Sequence, residues 1–190
     1  MEQFGFYFAI GWEHILSIAA LDHILFVACL AITFLPRQYK QLLILLTAFT
    51  IGHSITLALN VLSVIDVNEY WVEILIPITI IVTAVINITY NKKQERTIYI
   101  SYLLALFFGL IHGLAYASSL RFMLAGNETI AMPLLAFNIG IEVGQIIVAA
   151  IVLLISSLLM KAGQQIYKYW VYAVCISAIV VSLYMLIQRF

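Results

Sequence analysis

Six apolar stretches, near residues 15–35, 41–63, 71–90, 98–120, 131–159 and 169–188, are joined by short polar segments, and this pattern restricts the chain to very few folds. Each is about 20 residues long, the length of helix needed to cross a bilayer. In hydrocarbon every backbone amide must be satisfied inside its own segment, so stretches of this length read as helices. Composition agrees, since 65% of the 190 residues are hydrophobic and 9% are charged, against roughly a quarter charged in soluble domains. The expectation is an all-α polytopic membrane protein, a bundle of six transmembrane helices forming one domain over residues 1–190. The first ten residues, MEQFGFYFAI, lack a basic leader region and read as part of the mature chain. Their aromatic density, continued by Trp12, suits an interfacial segment over about 1–13.

Basic residues orient the bundle. Arg37 and Lys40 fall in the first joint, Lys92, Lys93 and Arg96 in the third, and Lys161 and Lys168 in the fifth, leaving only Arg121 and Arg189 on the other side. The positive-inside rule then puts the odd-numbered joints in the cytoplasm and both termini outside. Asp66, Glu69, Glu73 and Glu128 lie in or beside the outer joints. Trp71 fits an outer aromatic belt, while Tyr90, Tyr99 and Trp170 fit an inner one. A net charge of zero gives no reason to expect nucleic acid as a partner.

With every Lys and Arg placed at an end or joint, the deep ionisable residues are acids and histidines alone: Asp22, His23, His53, His112 and Glu142, with His14, Glu13 and Glu73 nearer the outer boundary. Carboxylates in that setting must be protonated, bonded to imidazolium or neutralised by a cation. Counting the helical rise from the outer ends, His23, His53, His112 and Glu142 all come out roughly 10–17 Å deep. Imidazoles and carboxylates gathered at one level suit a divalent transition ion such as zinc or nickel. Asp22 and His23 point about 100° apart, so one can ligate while the other supports it. His14 lies nine residues before His23, about 180° around an unbroken helix. The two share a site only if regular helix begins near Ser17 and GWEHI folds back irregularly.

Asn138, Glu142 and Gln145 form a polar stripe on the fifth span, beside a small-xxx-small pair, Gly140 and Gly144. The second and fourth spans share a local form, FTIGHS (49–54) and FGLIHG (108–113), which offers histidine from two parallel helices. Ser54 adjoins His53. Asn60 and Asn87 read as helix-to-helix hydrogen-bonding residues. Cys29 and Cys175 stand alone, without ligand spacing.

The segments HILSIAALDHILF (14–26), FTIGHSITLAL (49–59), FGLIHGLAYASSL (108–120) and FNIGIEVGQ (137–145) resemble the HupE/UreJ family of bacterial membrane proteins, most closely its second branch. The resemblance implies nickel or cobalt permeases of the bacterial inner membrane, with His14, Asp22 and His23, then His53, His112 and Glu142, as the motif residues. The chain departs from the better-described branch, which has a proline after its first histidine and a glutamate soon after a histidine-glycine pair. Here Ile15 and HGLAYA occupy those places, and the nearest acid is Glu142 on the next helix.

Two readings follow. In the first, a divalent metal, nickel or zinc, crosses by the histidine-carboxylate cluster, drawn in by Glu73 and Glu13 and passed along Asn138, Gln145 and Asn87. In the second, His23, His53 and His112 hold zinc in an intramembrane hydrolase acting on a lipid-like substrate, with Asp22 or Glu142 as general base. A metal-stabilised scaffold is a third. The implied partners are a metal ion and membrane lipid, with self-association left open.

Overall fold

The computed structural model describes residues 2–89, 98–124 and 129–189. Tyr90, Lys92, Lys93, Arg96 and Glu128 lie outside the described residues. The regular structure among the described residues is helical: α1 (Glu2–Leu16), α2 (Leu21–Ala31), α3 (Tyr39–Val61), α4 (Glu69–Thr89), α5 (Ile98–Ala115), α6 (Ala117–Leu124), α7 (Ala131–Ala162) and α8 (Gln164–Ile187). Among the described residues α3, α4, α5, α7 and α8 are each long and apolar enough to cross a membrane, and α1 with α2 makes a sixth crossing when counted as one broken span. Leu103, Ile151, Leu154 and Leu158 are among the large apolar side chains left on the surface, as lipid contact requires.

The first span differs from its expected form. Residues before Ser17 are regular α-helix rather than an irregular fold-back, and the chain turns by 71° between α1 and α2 through a single 3-10 turn, Ile18–Ala20. α1 lies lengthwise along α7 and buries Tyr7, Gly11 and Ile15. The fourth span is also interrupted, at Tyr116, where α5 gives way to α6.

Two helix pairs form the centre, α3 with α5 and α1 with α7. Both are held at backbone contact by glycine, and both run parallel. A Cβ on Gly109 would strike the Phe49 carbonyl, and one on Gly113 the carbonyl of His53. A Cβ on Gly11 would strike the Phe137 carbonyl, and one on Gly140 the carbonyl of Phe8 and the amide of Trp12. Such approach lets carbonyl and Cα–H groups of facing helices pack directly, the favoured way to join helices when lipid competes for every apolar surface.

The two pairs are the same structure made twice. GWEH (11–14) on α1 recurs as GLIH (109–112) on α5, and FTIG (49–52) on α3 recurs as FNIG (137–140) on α7. Gly11 on Phe137 is thus matched by Gly109 on Phe49. Gly140 between Phe8 and Trp12 is matched by Gly52 between Leu106 and Leu110, and Gly144 on Ile15 by Thr56 on Gly113. α2 packs on α7 as α6 packs on α3. The repeat unit is therefore α1–α4 followed by α5–α8, with each half's first helix clasping the other half's third. With α1 and α2 counted as one broken span each half has three crossings, an odd number, which sets the two halves in opposite senses across a membrane on that count. α1 accordingly runs antiparallel to α6, with the Tyr7 hydroxyl 3.4 Å from the Met123 carbonyl and the His14 ring 4.3 Å from that of Tyr116.

A methyl group on Gly109 or Gly140 meets backbone that cannot rotate aside. Gly109→Ala and Gly140→Ala are expected to cost about 1–3 kcal/mol each, read as a lower unfolding temperature in detergent. Gly5→Ala, with nothing within 4 Å of the new methyl, should leave it unchanged. A Gly109→Ala protein as stable as the parent would contradict the close pairing.

Candidate metal centre

The glycine contacts set where the histidines meet. His53 follows Gly52 on α3 and His112 lies three residues after Gly109 on α5, so the contact that joins these helices carries both imidazoles inward. His14 has the equivalent place on α1. The bend after Leu16 then brings His23, near the start of α2, beside it. His23 is the hub: its ring centroid lies 4.6 Å from that of His14, 5.2 Å from His112 and 6.0 Å from His53. His23, His53 and His112 are buried.

Two groups of three place their ligand atoms within 4.8 Å of one another, His14 with His23 and His53, and Asp22 with His23 and His112. The groups share His23, and their remaining imidazoles include the repeat-related pair His14 and His112. The 180° separation of His14 and His23 is removed by the bend, so both join one cluster.

Supporting hydrogen bonds aim the nitrogens. His23 Nδ1 lies 3.0 Å from Asp22 Oδ1, which also accepts the His23 backbone amide at 2.9 Å. The carboxylate holds the proton on Nδ1 and leaves the Nε2 lone pair free. The Thr79 hydroxyl donates to the Ile76 carbonyl at 2.7 Å, so its oxygen accepts from His112 Nε2–H at 3.1 Å. His112 Nδ1 then carries the lone pair. His14 Nε2, His23 Nε2, both ring nitrogens of His53 and His112 Nδ1 are buried with no hydrogen-bond partner in the protein among the described residues. Buried polar atoms are costly without partners. Several such lone pairs directed at one another match the donor set of a divalent transition ion.

The other expected residues sit around this cluster. Glu142 lies outside both groups and accepts a 2.6 Å hydrogen bond from Thr47. Gln145 accepts from Thr50 at 3.1 Å, Ser54 donates to the Thr50 carbonyl at 2.6 Å and Asn138 donates to the Leu134 carbonyl at 2.8 Å. Glu73 pairs with Arg189 at 3.0 Å. Asn87 donates to the Cys29 carbonyl at 2.6 Å, joining α4 to α2 as read from sequence. Thr79 was not singled out by sequence, because threonine is common in apolar helices and only its contact with His112 distinguishes it.

Two cavities approach the cluster. The first, about 440 Å³, is lined by Glu13, His14, Asp22, His23, Tyr116 and Met123. The second, about 250 Å³, lies at the other end of the bundle and is lined by Thr33, Gln38, Gln41, Thr83, Asn87 and Ser101 among others.

Thr79→Val keeps the shape of the side chain but removes the acceptor for His112, and Asp22→Asn weakens the hold on His23. Each is expected to lower nickel or zinc affinity about 10–100-fold, measured by titration calorimetry on the purified chain. Thr50→Val, whose hydroxyl serves Gln145, should bind as the parent does. Thr79→Val binding metal as tightly as the parent would show that this bond does not orient a ligand.

The family model described as HupE / UreJ protein matches residues 1–189. No curated protein and no solved structure matches the chain. With that match spanning the broken helices and all four histidines, the chain belongs to the HupE/UreJ family of multi-pass membrane proteins.

Proposed function

We propose that the protein is a permease for a divalent transition metal of the nickel or cobalt type, working in a bacterial inner membrane with both termini outside. The observation that carries this reading is the set of buried imidazole nitrogens, unpartnered among the described residues and placed between two cavities at opposite ends of the bundle. Imidazole with carboxylate favours nickel, cobalt and zinc over calcium and magnesium, which take oxygen ligands. Membership of the HupE/UreJ family supports nickel or cobalt over zinc.

Orientation follows from charge. The second cavity is lined by Gln38 and Gln41, flanking Lys40 in the stretch that also holds Arg37, and the positive-inside rule makes that end cytoplasmic. The first cavity then faces outward. Of its two acids Asp22 is engaged with His23, and Glu13 is better placed to attract a cation than Glu73, which is already paired with Arg189. Metal would enter there, meet His14 and His23, and pass the cluster toward the cytoplasm. The alternative, a zinc hydrolase, asks for a free carboxylate beside a metal-bound water. Asp22 is engaged with His23 and Glu142 with Thr47, so neither stands ready as a base.

Cells carrying His53→Ala or His23→Ala are expected to accumulate about tenfold less nickel or cobalt than cells carrying the parent chain, each losing an interaction of order 1.4 kcal/mol. The double variant should be no worse than the poorer single one, because ligands of one site do not contribute additively. Equal metal content in all these cells, with the protein shown to be in the membrane, would end the permease reading.

A further inference from the structure

The second cavity does not touch a histidine. Phe108, one turn before His112 on α5, lines it, and the Phe26 ring packs on Phe108 and on Phe49. The Phe26 ring is 5.9 Å from Phe108, 5.0 Å from Phe49 and 5.0 Å from His112, and Phe49 is 5.2 Å from His112. Phe26 and Phe49 are fully buried. Packed aromatic rings thus run from His112 to the wall of a chamber lined by Thr33, Gln38, Gln41, Thr83, Asn87 and Ser101. The first cavity has no such layer, since His14, Asp22 and His23 line it directly. The structure is open to the cluster on one side and sealed on the other.

The repeat supplies the reverse arrangement. Two halves of one design, inserted in opposite senses, can exchange conformations and so expose a central site first to one side and then to the other. The two ligand groups fit this exchange, because His14 in one and His112 in the other are repeat-related and His23 belongs to both. His14 lines the open cavity while His112 faces the aromatic layer. Thr83, one turn along α4 from the partner of His112, already lines the sealed chamber.

We propose that Phe26, Phe49 and Phe108 are the gate between the metal cluster and the second cavity, and that exchange of the two halves opens it as the cation is handed from His14, His23 and His53 to Asp22, His23 and His112. This rests on the permease reading. The ion stays divalent throughout, and the transfer replaces His14 and His53 by Asp22 and His112 while His23 holds on.

The test uses the full chain in liposomes enclosing a nickel-quenched dye, with nickel ion as the probe. Phe108→Ala leaves every ligand in place and is expected to raise downhill nickel influx about tenfold, the effect of lowering the barrier by one decade in rate. Phe108→Leu, which preserves apolar packing, serves if the alanine variant does not fold, and should raise influx by less. In the same liposomes Ser101→Cys, with Cys29→Ala and Cys175→Ala, should react with a water-soluble maleimide faster when nickel is present, and His112→Ala should abolish that response. Parental nickel influx with unchanged influx in the Phe108 variants and no nickel response at position 101 overturns the gate and leaves the permease reading standing. A nickel response at position 101 without any parental influx overturns the permease reading, and with it the gate as a step of transport. Absence of both overturns both.

Discussion

Backbone contact between parallel helices at glycine is the constraint from which the rest of this structure follows. α3 meets α5 through Gly52, Gly109 and Gly113, and α1 meets α7 through Gly11, Gly140 and Gly144. Lipid offers helices no hydrophobic reward for associating, so close packing has to supply the attraction. The same contacts fix the azimuth of the neighbouring residues. His53 and His112 have no freedom to face lipid while Gly109 sits on the Phe49 carbonyl, and His14 is bound likewise by Gly11 on Phe137. Association and the presentation of ligands are one event here.

Polar groups behind the histidines decide what the cluster can hold. Asp22 and Thr79 occupy one nitrogen each on His23 and His112, which leaves the opposite lone pairs turned toward each other's surroundings. The framework is repeated but its polar side chains are not: the repeat position of His53 on α7 is Ile141, and that of Glu142 on α3 is Ser54. The twofold framework thus carries a one-sided set of candidate ligands, three histidines and Asp22 from the first half and one histidine from α5 within the described residues.

Span length and hydropathy were enough to read the bundle, because the bilayer imposes both on any helix that crosses it. The convergence of His23, His53 and His112 was likewise legible from their common depth. Depth alone could not place Glu142, which was counted to the same level but bonds to Thr47, six residues before His53 on α3. The sequence also left His14 unresolved. Its phase relative to His23 assumed an unbroken helix, and the break at Ser17–Ala20 contains neither proline nor glycine to announce it. The repeat lay in four-residue motifs too short to stand alone; the matching glycine contacts in both pairs give them weight.

The central claim is that imidazole nitrogens from several helices bind one transition ion within the membrane. X-ray absorption on the zinc-loaded chain tests it most directly. The account predicts a nitrogen and oxygen shell at about 2.0–2.1 Å, with the outer-shell scattering of more than one imidazole, reduced in His23→Ala. A sulfur shell at about 2.3 Å, which only Cys29, Cys175 or a methionine would give, or an oxygen shell without imidazole scattering, would contradict it.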